Sequence, residues 1–239
     1  MKVIGLIGGM SWESTAEYYR IINKTVKERL GGLHSAKILL YSVDFSEIAT
    51  LQTEDRWPEA TKFMCDAAQR IERGGADCVL ICTNTMHKMA PEVQSTVTIP
   101  LLHIADTTAR EIKKRGIKRI GLLGTKYTME EDFYKGLLVD DYDLDVFIPP
   151  EDGRTIVNRI IYEELCLGRV VTESRKHFQQ IIHDLNRRGV EGVILGCTEI
   201  SLLINQEDSP FLSLIPPPST PKVQWILLWR MAREVLLGD

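Results

Sequence analysis

No apolar run in this chain approaches the length of a membrane span; stretches such as Cys78–Cys82 and Val193–Leu195 are strand-length. Charge of one sign is missing too. Lys and Arg number 29 against 33 Asp and Glu, a formal net charge of −4, which gives no electrostatic case for nucleic acid or an anionic membrane as partner. Cysteine is sparse: five residues, at 65, 78, 82, 166 and 197, an odd number without metal-pair spacing. Free thiols in a reducing cytoplasm, with neither disulfide nor metal, are therefore expected. Neither a complete dinucleotide fingerprint nor a Walker A loop is present, which argues against a nucleotide enzyme. The start, Met1-Lys2-Val3-Ile4-Gly5, runs straight into a predicted strand, so no signal peptide is expected.

What is present is ordinary globular composition, 44% apolar and 26% charged over 239 residues, enough for one large or two small domains. Aliphatic runs alternate with amphipathic segments. Strands are predicted at Val3–Ile7, Lys37–Ser42, Cys78–Cys82, Leu101–Ile104, Arg119–Leu123, Asp145–Ile148 and Gly192–Leu195. Helices are predicted at about Ser14–Leu30, Pro58–Arg73, Thr107–Arg115, Thr155–Leu167 and Thr172–Arg187. Strands alternating with helices imply parallel α/β sheets, and all-apolar strands such as Val193-Ile194-Leu195 imply sheets covered on both faces.

The chain also repeats itself. Gly75-Ala76-Asp77-Cys78-Val79-Leu80-Ile81-Cys82-Thr83-Asn84-Thr85 aligns without a gap on Gly189-Val190-Glu191-Gly192-Val193-Ile194-Leu195-Gly196-Cys197-Thr198-Glu199. Thr83 falls opposite Cys197, an offset of 197 − 83 = 114. Ile4-Gly5-Leu6-Ile7-Gly8 aligns on Ile120-Gly121-Leu122-Leu123-Gly124 with the similar offset of 121 − 5 = 116. Two anchors with nearly one spacing predict two pseudo-symmetric α/β lobes, each a parallel sheet flanked by helices, with an active-site cleft between them. The first lobe is expected over residues 1–104 plus 215–239 and the second over 105–214.

Ligands of open α/β sheets bind at the carboxyl ends of strands, so the loops there are the candidate sites. Gly8-Gly9-Met10-Ser11 precedes a helix, with Ser11 or Ser14 as N-cap, and offers unpaired N–H groups to an anion. Gly124-Thr125-Lys126-Tyr127-Thr128 is its counterpart. Cys197 follows a buried strand directly; a buried thiol is usually inert packing, but a polar turn can lower its pKa into the reactive range. Cys82 precedes Thr83 and so points to the opposite face of the strand, into the core, while Asn84 and Thr85 read as helix caps and His87 as a helix residue.

Together Gly8-Gly9-Met10-Ser11-Trp12-Glu13-Ser14-Thr15, Thr83-Asn84-Thr85-Met86-His87 and Gly196-Cys197-Thr198-Glu199 resemble the aspartate/glutamate racemase family over roughly Met1 to Ile215. The resemblance implies a cofactor-independent racemase whose two thiols flank the α-carbon of an amino acid. One thiol removes the α-proton and the other returns one to the opposite face. This chain departs from that pattern, because Thr83 stands where the first thiol belongs. A subgroup with Thr-Asn-Thr is similar, and there the resemblance implies activity mainly on acidic L-amino acids. Cys197 is thus the expected main base, with Thr83 opposite as a proton relay or donor, since a hydroxyl is a poor base near neutral pH.

The resemblance also implies substrate contacts from Met10, Ser11, Asn84, Thr85, Thr125 and Thr198, with Gln52 and Glu199 added on the substrate side. Arg56 competes with Gln52 for the side-chain carboxylate, and Cys166 falls near where some relatives carry a substrate-side lysine. The tail differs from relatives: Pro216-Pro217-Pro218-Ser219-Thr220-Pro221 and a Trp225/Trp229 segment replace their Asp-containing turn and His-Ala helix. A diverged packing helix and a frameshift after about Ile215 both account for it. Alternatives to the acidic amino-acid racemase are a hydantoin racemase or maleate isomerase type, and a catalytically weak amino-acid-binding module. The expected partners are a small amino acid and, by resemblance, a second copy in a homodimer.

Overall fold

The computed structural model describes residues 1–205 and Asp208. These divide into two units, Met1–Ile104 and the stretch from Ala105 onward. The tail, including the assignment of 215–239 to the first lobe, lies outside the described residues.

The first unit contains β1 (Val3–Gly8), α1 (Trp12–Leu30), β2 (Lys37–Ser42), α2 (Phe45–Thr53), α3 (Trp57–Arg73), β3 (Cys78–Ile81), a 3-10 turn (Thr85–Met89) and α4 (Ala90–Ser95). Its sheet is wholly parallel in the order β2-β1-β3. β1 and β3 are apolar and buried at nearly every position, as strands covered on both faces must be. α3 shows how the sequence selects its buried face: Ala60, Met64, Ala67, Ala68 and Ile71 recur at helical spacing and are all buried, and Pro58 starts the helix at no hydrogen-bond cost.

α5 (Ile104–Lys114) starts at the boundary residue and leads into the second unit: β4 (Arg119–Leu123), α6 (Lys126–Glu130), α7 (Asp132–Asp140), β5 (Asp145–Phe147), α8 (Glu151–Glu163), a 3-10 turn (Leu165–Leu167), α9 (Thr172–Arg187), β6 (Gly192–Leu195) and α10 (Ile200–Leu203). Its parallel sheet has the order β5-β4-β6, the repeat of the first.

The repeat extends to individual hydrogen bonds. Gly5 pairs with Val79 in one sheet and Gly121 with Val193 in the other, the positions the alignment equates. Gly75 (φ 90°) and Gly189 (φ 78°) each leave a helix in the left-handed region that glycine alone adopts cheaply. After them, Ala76 N–H donates to Ile71 O and Val190 N–H to Leu185 O, both at 3.3 Å. Asp77 then accepts from Val3 N–H, as Glu191 accepts from Lys118 and Arg119 N–H, so the repeated acid tethers the start of the central strand in both units. Each ladder closes with one more matched bond: Cys82 N–H to Ile7 O at 2.9 Å, and Gly196 N–H to Leu123 O at 2.6 Å.

The predicted strand Leu101–Ile104 is not a strand. Leu101 makes a single parallel bridge to Val79, whose N–H and C=O are taken by Pro100 O and Leu102 N–H, and α5 begins at Ile104. The segment predicted as one helix over Thr155–Leu167 is α8, starting four residues earlier after Pro150, followed by a separate 3-10 turn that ends at Gly168 in the left-handed region. α2, α6 and α7 stand where the pattern predicts no element. α2 is capped by Asp44, whose carboxylate accepts from Ser46 N–H at 2.9 Å. No helix of the described residues is long and apolar enough to cross a membrane.

Candidate active site

In the first unit, the loops after β1 and β3 are built as one polar cluster. Gly9 has φ 95°, and a Cβ there would lie 2.2 Å from Val43 O, so the turn tolerates only glycine. Its N–H donates to Thr15 Oγ1 at 2.8 Å, and the same hydroxyl donates to Ser11 O at 2.9 Å. Ser11 is the N-cap of α1, its Oγ accepting from Ser14 N–H at 3.3 Å. Ser14 Oγ in turn donates to Cys82 O at 3.0 Å, tying the first loop to the second. Met10 turns its side chain into the apolar core with Ile7, Ile48 and Met86.

The second loop carries Thr83, half-buried, immediately after the last ladder bond of β3. Asn84 does not cap a helix: it has helical φ and ψ and makes no side-chain cap bond. Its side chain is only 5% exposed, and its amide has no hydrogen-bond partner among the described residues. Thr85 beside it is buried, and Gln52, from α2, donates to Met86 Sδ at 3.1 Å. His87 is buried, its Nδ1 2.8 Å from Thr83 O and its Nε2 3.3 Å from Ile104 N. Arg56 fails as the cation for a side-chain carboxylate: it is exposed and held between Glu54 and Glu59. Cys82 is core, as its position predicts, and burial alone pushes its thiol up. Cys78 is likewise pushed up to about 11 by burial.

In the second unit, Thr125 caps α6, accepting from Thr128 N–H at 3.3 Å, and the two hydroxyls lie 3.1 Å apart. Gly196 packs closely: a Cβ would meet Thr128 Cγ2 at 3.0 Å and Leu123 O at 3.1 Å, so a side chain at the position matching Cys82 would have to push its neighbours aside. Cys197 follows, half-buried, with Sγ–H donating to Glu199 Oε2 at 2.9 Å. Thr198 Oγ1 donates to the same oxygen at 3.1 Å, and Glu199 is 6% exposed.

This electrostatic setting reverses the sequence expectation of a lowered thiol pKa. Burial pushes the Cys197 thiol well above its ordinary value; the neighbouring Glu199 charge and Cys166 push it further. Glu199 beside it is an acceptor already aligned on the thiol proton. Tyr162, which an Ile-Ile-Tyr-Glu-Glu helix pattern gives no reason to single out, belongs to this neighbourhood. Burial raises its phenol first, with Cys197, Tyr127, Cys166 and Glu199 adding to the shift. Cys166, in the 3-10 turn, is thus within electrostatic reach of Cys197. No group of three or more His, Cys, Asp or Glu among the described residues is arranged to hold a metal ion.

Comparison with known proteins bears on what these two loop sets do. The Asp/Glu/hydantoin racemase family model matches residues 7–218. A Yersinia pestis structure, provisionally named an Asp/Glu racemase, is 49% identical with a TM-score of 0.89, over 99% of this chain and 100% of that one. An aspartate racemase homologue from Pyrococcus horikoshii is 34% identical with a TM-score of 0.79, over 98% of each chain. The broad specificity amino-acid racemase RacX of Bacillus subtilis is 26% identical over 139 residues, 57% of this chain and 60% of RacX.

Proposed function

The chain belongs to the Asp/Glu/hydantoin racemase family, and we propose that it racemises acidic amino acids without a cofactor, with Cys197 as main base and Thr83 acting on the opposite face of the α-carbon. The observation that carries the reading is the 2.9 Å contact from Cys197 Sγ to Glu199 Oε2. Glu199 takes the thiol proton, and the thiolate formed removes the α-proton of the L-enantiomer, becoming a thiol again. The electron pair left on the α-carbon spreads into the substrate carboxylate. The Asn84 amide, buried without a partner among the described residues, and the backbone N–H of Met10 supply donors for that charge. Inversion is completed when the Thr83 hydroxyl gives its proton to the other face and recovers one from water, while Glu199 releases the proton it took to solvent, so that enzyme and proton count are restored. Return of the proton from Cys197 instead regenerates the starting enantiomer.

Ser11, Gln52, Thr85, Thr125 and Thr198 complete the proposed substrate contacts, with Met10 contributing through its backbone. All are uncharged, which suits carboxylate recognition by hydrogen bonds. The protein is further proposed to work as a homodimer, a reading supported by the family likeness and checked by sedimentation equilibrium.

Proton NMR of L- and D-aspartate and L- and D-glutamate in D₂O, with pyridoxal-free and metal-free protein, tests the reaction directly. Loss of the α-proton signal of an L-substrate is expected, abolished in Cys197→Ser. Retained substrate binding with no exchange from any of the four would reduce the protein to an amino-acid-binding module.

A further inference from the structure

His87 occupies an unusual place among the residues of the Thr83 loop. Its ring is 1% exposed, and both nitrogens are engaged. Ile104 N–H points at Nε2 from 3.3 Å, and a backbone N–H can only donate, so Nε2 must be the bare, accepting nitrogen. The ring hydrogen is therefore on Nδ1, which donates to Thr83 O at 2.8 Å. A free neutral imidazole has no such constraint; here the fold dictates the tautomer. Burial, with the His103 ring 4.6 Å away, holds the imidazole neutral near neutral pH.

The consequence lies in what the ring joins. Thr83 is the first residue beyond the β3 ladder, and Ser14 Oγ already fixes the carbonyl before it, that of Cys82. His87 fixes the next carbonyl, that of Thr83 itself. Two successive peptide planes are thus pinned by side chains, which sets the direction of the Thr83 Cα–Cβ bond and so the point from which its hydroxyl reaches out. On its other side the ring is anchored to Ile104, the last residue of the first unit.

We propose that His87 is a positioning residue for Thr83: its Nδ1–H holds the Thr83 carbonyl so that the hydroxyl can deliver a proton to the α-carbon, and it thereby sets how often proton abstraction ends in inversion. This rests on the assignment of Thr83 in the proposed reaction. It does not require His87 to touch substrate. Asn and Gln separate the two halves of the clamp. In His87→Asn the amide nitrogen overlays Nδ1 and keeps the donor to Thr83 O. In His87→Gln the amide reaches the Nε2 position, keeps an acceptor for Ile104 N–H and gives up the hold on Thr83.

The test has two readings, made on the full chain. Nitrogen-15 NMR of the wild-type imidazole is expected to show Nδ1 protonated and Nε2 bare near neutral pH; the opposite tautomer overturns the clamp whatever the protein's activity. α-Proton exchange and inversion of L-aspartate and L-glutamate in D₂O are then compared across variants. His87→Gln is expected to lower inversion about tenfold or more while exchange from the L-enantiomer changes little, because misplacing a reacting group is costly even at small displacement. His87→Asn is expected to keep the wild-type ratio of inversion to exchange. Equal losses of both rates in His87→Gln, or a changed ratio in a folded His87→Asn, would overturn the positioning role. A wild-type protein with the expected tautomer but no exchange would instead sink the racemase reading and leave the clamp geometry standing.

Discussion

Cys197 Sγ lies 2.9 Å from Glu199 Oε2, and the carboxylate opposes the ionisation of the thiol it touches. Burial is the larger cause, and the negative charge of Glu199 adds to it, so the resting thiol keeps its proton. A nucleophile or base that must ionise is ordinarily helped by a cation. Here the partner is instead a carboxylate, which can accept the thiol proton in the proposed reaction.

That arrangement makes a two-sided prediction for Glu199→Gln. With the carboxylate gone, the buried thiol must ionise by itself before it can act as a base, and burial still opposes that, so the rising limb of kcat/KM with pH is expected to move to higher pH. The acceptor for the thiol proton is also lost, and kcat is expected to fall about a hundredfold, the usual scale for one general base. A pH–rate profile measures both. An unshifted limb with unchanged kcat would show that Glu199 serves only to tie the Cys197 and Thr198 side chains together.

Thr83 sets a second expectation. A hydroxyl donates a proton more readily than it abstracts one, so abstraction from the Cys197 side should outrun completed inversion. Enantiomers have equal free energy in water, so kcat/KM must be the same in both directions whatever residue stands at 83. Thr83 can slow racemisation but cannot make it one-way. Thr83→Cys puts a thiol in place of the proposed donor and is expected to raise inversion by about tenfold or more with a smaller gain in exchange. Parallel chiral chromatography and NMR exchange rates decide it, and a Thr83→Cys variant that loses inversion contradicts the assignment.

Most of the frame was legible in the sequence because it is written twice. The glycine, acid and apolar strand of Gly75–Ile81 recur at Gly189–Leu195, and each recurring type has one physical job: a left-handed turn, a carboxylate for strand N–H groups, a strand buried on both faces. The helices α6 and α7 were not legible, since Lys126–Asp140 mixes Gly136 and many charges with a short apolar stripe. α2 left a signal that periodicity alone passes over, the Asp44 cap with Glu47 three residues on. The site was legible as residue types but not as electrostatics. Cys197-Thr198-Glu199 names a thiol and a carboxylate without saying that burial drives the thiol's pKa up. Arg56 offered a cation by composition, and only its position between Glu54 and Glu59 removes it.

Asn84 gives the sharpest separation of binding from folding. Its side chain is almost fully buried, yet the amide has no hydrogen-bond partner among the described residues. A buried amide in that condition costs about 1–3 kcal/mol relative to one that is satisfied. A residue kept for stability would not be left so, whereas one kept for a ligand must be, because its donors have to be available when substrate arrives. Asn84→Leu keeps the branched, four-heavy-atom shape of the side chain without its polar groups. Its melting temperature without ligand is therefore expected to match or exceed that of the wild type. The same change should raise KM for L-aspartate or L-glutamate about tenfold, the equivalent of one lost hydrogen bond to a charged group at about 1.4 kcal/mol. It should also shrink the rise in melting temperature that saturating substrate produces in the wild type, since that rise depends on the ratio of ligand concentration to Kd. Calorimetry with and without substrate tests both halves: a variant that melts well below wild type, yet binds substrate as tightly, would make Asn84 a packing residue and move carboxylate recognition to the backbone N–H of Met10.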